Sequence, residues 1–197
     1  MGRPHFNPLT TPAEPESKEA VEALVRLIRD KAENLFLTRQ FYCTESVLLA
    51  LNNGLGGGLT DDQAIAVAAP FSIGVGESGC MCGALAGSIL AAGLLVGDSA
   101  PYRHRNASRK ASGHLHDLFK GRFGGVCCRV LRKKRDATAA DAFKACAQVT
   151  AEAAGMTARY LMGLRPGLTL TADRKFLQSR DSLTSGTLQR LSRLVGA

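Results

Sequence analysis

Apolar positions recur every three or four residues over most of this chain, and that period predicts helices. Val21, Leu24, Leu27, Ile28 and Leu35 share one face of a helix expected over residues 17–40, with Lys18, Glu22, Arg26, Arg29 and Lys31 opposite. A second helix starts near Tyr42. It carries Cys43 in its first turn, then Val47, Leu48, Leu49 and Leu51, and Asn53-Gly54 stops it. Thr60-Asp61-Asp62-Gln63 reads as a capping box for a third helix, which Pro70 ends. Further helices are expected over 108–119, weakened by Gly113, and over 138–162. In the latter, Phe143, Cys146, Val149, Ala153 and Met156 form the buried stripe. Leu183, Leu188, Leu191 and Leu194 suit a short amphipathic helix near the end. Alternation of the strand type and internal repeats are absent.

One stretch breaks the amphipathic pattern. Residues 76–97 read G-E-S-G-C-M-C-G-A-L-A-G-S-I-L-A-A-G-L-L-V-G. A Gly-rich loop over 71–79 feeds a helix with Cys82 in its first turn. Gly83, Ala84, Ala86, Gly87, Ala91, Ala92 and Gly93 give that helix a flat surface, which lets another helix or a cofactor come close. Residues 78–97 lack charge and approach the length of a bilayer span. Their modest apolar density favours a buried helix, so no membrane span is expected.

Composition agrees with an all-α reading. The chain has 197 residues, 6% aromatic, with no Trp, so its core relies on Leu, Val, Ile and Ala. The expected architecture is a compact helical bundle around the Gly/Ala-rich helix, with flexible tails. Its parts are a disordered N-terminal tail over 1–16, a helical cysteine domain over 17–163 and a basic C-terminal extension over 164–197. The formal net charge is +8. Such a balance suits an acidic redox partner. Nucleic acid is disfavoured, because the basic run from Arg129 to Arg135 lacks interleaved aromatics.

Six cysteines carry the candidate chemistry. Residues 1–15 are polar and Pro-rich, without the apolar core of a secretory signal, so a cytoplasmic location is expected. Thiols there stay reduced, and clustered cysteines are ligands or redox groups more often than staples. Cys43, Cys80/Cys82, Cys127/Cys128 and Cys146 come from four segments. Four sulfur sources suit an iron–sulfur cluster or a tetrahedral zinc. They suit two redox disulfides equally well. The local spacings are C-x-C and C-C, not C-x-x-C.

Several segments together resemble one family. These are Cys43 within F-Y-C-T-E-S-V-L-L-A-L, the Gly-rich loop with G-E, Cys82-Gly-Ala-Leu-Ala-Gly87, R-F-G-G-V-C-C-R-V-L, and Cys146 on a long helix. The chain is similar over residues 35–163 to the C_GCAxxG_C_C family of redox-active proteins, named for four cysteines. By position these fall on Cys43, Cys82, Cys128 and Cys146. The resemblance implies a compact helical domain with a redox or metal role. The family also occurs beside haem-binding segments in split-Soret-type cytochromes, where an iron–sulfur centre accompanies the haems. This chain has no C-x-x-C-H, so covalent haem is not expected. Cys80 and Cys127 depart from the family pattern and stand as reserve ligands.

The resulting expectation is electron transfer through an iron–sulfur centre, most simply [2Fe–2S], held by Cys43, Cys82, Cys128 and Cys146. One alternative is thiol–disulfide exchange by the pairs Cys80/Cys82 and Cys127/Cys128. Another is a zinc or soft-metal module. The flat helix face leaves a homodimer open. His104, His114 and His116 sit among basic residues and read as a solvated face, and Glu77 as a cap or a proton carrier.

Overall fold

A computed structural model describes residues 17–97, 101–133 and 138–195. The expected tail over 1–16 lies outside the described residues. Helices and 3-10 turns make up the regular structure, with no strand among the described residues. The helices are α1 (Lys18–Leu37), α2 (Cys43–Leu55), α3 (Asp61–Ala68), the single turn α4 (Ser72–Val75), α5 (Gly83–Gly97), α6 (Pro101–Phe123), α7 (Cys128–Lys133), α8 (Ala139–Leu164), α9 (Arg174–Gln178) and α10 (Leu183–Val195).

The starts of these helices follow local chemistry. Ser17 accepts a hydrogen bond from the Ala20 N–H at the head of α1. Thr60 and Gln63 form the reciprocal box on α3, and Thr138 and Asp141 repeat it on α8. On α2 the carboxylate of Glu45 accepts from the Tyr42 N–H at 2.7 Å. Gly56 ends α2 in the left-handed conformation, with φ 74°.

Two helices form the centre. α2 is buried along nearly its whole length, from Thr44 to Asn52. α5 lies against it, with Gly83 to Ser88, Ala91 and Ala92 out of solvent. α1 runs along α8, and both touch α2; α6 returns along α5. The flat face of α5 is therefore spent within the chain. A Cβ at Gly87 would stand 2.7 Å from the Thr44 carbonyl and 2.9 Å from the Val47 Cβ. Glycine there allows backbone-to-backbone approach. Gly93, away from this contact, is exposed with open space around it.

α6 starts at Pro101, seven residues before the expected 108, and runs through Gly113 to Phe123. Ala111, Leu115 and Phe119 recur at every fourth position and are fully buried, so packing on α5 carries the helix past the glycine. No helix among the described residues is long and apolar enough to cross a membrane.

Beyond α8 the chain folds back onto the body. Leu177 on α9 is fully buried against Gly54. The Asp173 N–H donates to the Gly54 carbonyl at 3.1 Å. Lys31 on α1 is buried, donates to Ser179 Oγ at 2.9 Å and lies 3.7 Å from Asp181. Burial pushes its ammonium below the ordinary lysine range. On α10 Gly186 is buried against Gln40, while Leu183, Leu188 and Leu191 face solvent.

Candidate thiol site

Cys43 is the first residue of α2, and the helix start turns it toward α5. A Cβ on Gly83 would strike Cys43 Sγ and stand 2.5 Å from Thr44 Oγ1. The two helix starts thus meet through a glycine and a thiol.

Cys82 sits one residue before α5, not inside its first turn. Its carbonyl accepts from the Ala86 N–H at 2.9 Å, which makes it the N-cap. Its sulfur receives the N–H groups of Ala84 and Leu85, so the thiol takes the capping place that a serine oxygen usually holds. The Cys82 N–H donates to the Val126 carbonyl at 2.7 Å, joining this loop to the one before α7. Cys128 opens α7, with Arg132 one turn on. Cys146 lies in the first third of α8.

Between α3 and α5 the backbone does something no composition argument anticipates. Ile73, Gly74, Val75, Gly76 and Glu77 all have positive φ, from 55° to 77°. This is a left-handed turn that includes two β-branched residues, which resist it. Gly74 is required here, since a Cβ would stand 2.8 Å from the Cys128 Cβ. The turn directs the Ile73 N–H to the sulfur of Cys43. Backbone strain is thereby placed beside the thiols.

Cys43, Cys82, Cys128 and Cys146 line one pocket together with Ala84, Leu131, Arg132 and Val149. The enclosed space is about 30 Å³ and its walls are almost wholly apolar. None of the four thiols is in a disulfide. Among the described residues, no three His, Cys, Asp or Glu side chains are already drawn close enough to hold one metal ion.

The electrostatics of Cys43, Cys82 and Cys128 share one sense. Burial pushes the Cys82 thiol from 9.0 up to about 12, and the adjacent Cys43 adds to it. Burial raises Cys43 too, reinforced by Cys146 and Cys128 and opposed by the Ile73 N–H. Burial raises Cys128, against the opposing charge of Arg132. At neutral pH these groups are protonated thiols, each disfavouring ionisation of its neighbours. An added soft cation reverses that balance and releases protons.

A pH dependence follows. Between pH 9 and about 12 the unfolded chain has lost the Cys82 proton that the folded chain keeps. The stabilisation from this group is complete below 9 and is lost as pH rises through the folded value. The guanidinium midpoint is expected to fall between pH 8 and 10.5, and to fall less in Cys82→Ser. Equal slopes in both proteins would contradict this assignment.

The remaining cysteines form a disulfide, Cys80–Cys127. This corrects the pairing in the thiol-exchange alternative: Cys80 is joined to Cys127 across two loops, not to Cys82, and Cys127 is not joined to Cys128. Vicinal and C-x-C spacing are short along the chain, but the loops lie side by side and offer each sulfur a partner on the other strand of chain. In this form Cys80 and Cys127 have no thiolate to offer a metal.

His104, His114 and His116 are not among the residues that line this pocket. His114 stacks on Tyr160 at 4.4 Å, and His116 contacts Asp117 at 3.0 Å. Glu77 is exposed in the left-handed turn. Arg132, within the basic run, is exposed and also lines the pocket. Its spacing of four residues from Cys128 on one helix is the signal that places both on the same face.

The arrangement defines a class: an all-helical protein with an apolar, four-thiol pocket assembled from four chain segments. Residues 41–160, more than half of the chain, match the family model described as "Putative redox-active protein (C_GCAxxG_C_C)". The chain belongs to this C_GCAxxG_C_C family of redox-active proteins. No curated protein and no solved structure matches it.

Proposed function

We propose that this chain transfers electrons through an iron–sulfur centre, most simply [2Fe–2S], held by Cys43, Cys82, Cys128 and Cys146. The observation that carries the reading is the meeting of these four thiols at one apolar pocket, with no carboxylate or imidazole among its lining residues. An all-sulfur donor set selects soft or thiophilic metals. A second feature fits the same group. The hydroxyls of Thr44 and Ser72 are buried without a hydrogen-bond partner, a state that costs about 1–3 kcal/mol each. Thr44 follows Cys43, and Ser72 precedes the residue whose N–H reaches Cys43. Hydroxyl and backbone donors near ligand sulfurs tune the potential of such centres.

When bound, the cluster would supply one-electron chemistry. The residues of the chain do the rest: four thiolates hold it, the apolar walls limit water, and Arg132 offsets negative charge at the edge. The net positive charge steers an acidic partner toward the protein.

The test is metal analysis of protein purified without oxygen. Brown protein with iron and acid-labile sulfide is the expected result. Stoichiometric zinc in colourless protein would move the reading to a zinc module. Colourless, metal-free protein that reduces a disulfide substrate would move it to thiol exchange, with Cys80–Cys127 as the couple.

A further inference from the structure

The two loops that carry Cys82 and Cys128 are tied at three points. The Cys82 N–H donates to the Val126 carbonyl at 2.7 Å, and the Arg129 N–H donates to the Gly79 carbonyl at 3.0 Å. Between these hydrogen bonds lies the Cys80–Cys127 disulfide. Cys80 precedes α5 and Cys127 follows α6, so the bond closes the base of the α5–α6 hairpin. Each end is one or two residues from a pocket thiol. Both disulfide cysteines are partly exposed, whereas Cys82 is only 7% exposed. A reductant reaches the disulfide more readily than it reaches Cys82, while Cys43, Cys128 and Cys146 are partly exposed as the disulfide is.

From these placements we infer that Cys80–Cys127 is a second redox site, reducible by a dithiol, whose state controls access to the four-thiol pocket. Oxidised, the disulfide holds the loops together and keeps Cys82 and Cys128 at the pocket. Reduced, the loops keep the two backbone hydrogen bonds but lose their covalent tie, and local opening becomes easier. The exchange balances. A thiolate of the dithiol attacks one sulfur of the disulfide and releases the other as a thiolate. The second thiol of the donor then attacks the mixed disulfide. The protein gains two electrons and two protons, and the donor leaves as a disulfide. The effect on thiol access stands by itself, while the effect on metal affinity rests on the proposed function.

The experiment measures site-resolved alkylation by iodoacetamide, read by peptide mass. It uses the metal-free full chain in three states: disulfide intact, dithiol-treated and desalted, and Cys80→Ser/Cys127→Ser. Opening the disulfide is expected to speed alkylation of Cys82 and Cys128 by at least about tenfold, and of Cys43 and Cys146 far less. Reoxidation of the dithiol-treated chain should restore the slow rates. Rates within twofold of each other in all states would overturn the inference. So would a uniform rise at all four thiols, which would make the bond a staple of the whole fold. Cadmium alone, titrated into the intact and double-serine proteins, should bind the latter about tenfold more weakly. Equal cadmium affinity would overturn the link to metal holding. If neither form binds cadmium but alkylation rises selectively, the metal reading of the pocket fails and the access control stands.

Discussion

Gly83→Val is expected to lower the melting temperature by about 6–12 °C, the effect of about 3 kcal/mol of overpacking in a chain of this size. The valine Cβ would occupy the place of Cys43 Sγ and stand 2.5 Å from Thr44 Oγ1. Both belong to the first turn of α2, which is held by the Glu45–Tyr42 cap and packed on several sides. α2 has little room to retreat, and the side chain that can move is the thiol itself. The variant should therefore lose Cys43 from the pocket as well as stability. Gly93→Ala is the control: its Cβ meets nothing within 4 Å, and it replaces an exposed helical glycine. It should gain about 0.5–1 kcal/mol. Thermal melts of the two variants decide the matter. A Gly83→Val protein melting with the parent would mean that α2 and α5 do not meet at this glycine.

Cys82→Ser is expected to do the opposite, leaving the fold and removing the chemistry. The sulfur of Cys82 accepts the N–H groups of Ala84 and Leu85 at the head of α5. A serine oxygen is well suited to that N-cap role, so helicity should persist and the melting temperature should stay within about 2–4 °C of the parent. The soft donor, however, is gone. Since loss of an outer partner already weakens metal sites about 10–100-fold, loss of a ligand should weaken binding by more than about 100-fold. Iron content after anaerobic purification, with cadmium titration as a second readout, measures the loss. Unchanged metal content would transfer the sulfur role to Cys80 and would require the Cys80–Cys127 bond to be open in that protein.

Together the two variants separate shape from donor. One keeps every sulfur and removes the space they need; the other keeps the space and removes one sulfur. Parallel losses of metal with divergent melting behaviour would be the pattern of a packed, sulfur-lined pocket.

How far the residues announced this arrangement depends on the range of the interaction. Helix starts at Ser17, Thr60 and Thr138 were legible because a cap involves residues three apart. The small-residue face of α5 was legible as a surface that some neighbour would approach, but not which neighbour. The early start of α6 was hidden, because its first turns are polar and basic. The membership of Arg132 in the pocket was obscured by the charge run around it.

Local sequence, by itself, determined the all-helical class, the caps, the burial of the Gly/Ala-rich segment and four separate sources of sulfur. These follow from period and short-range hydrogen bonding, which are written into neighbouring residues. Tertiary structure alone decided that α2 fills the flat face of α5, that Cys80 joins Cys127, and that Ile73 and Val75 take a left-handed turn toward Cys43. Each of these opposes or ignores local preference. Segments far apart in the chain must first be packed together before a β-branched residue will accept positive φ or a sulfur will pass over its nearest neighbour in the chain.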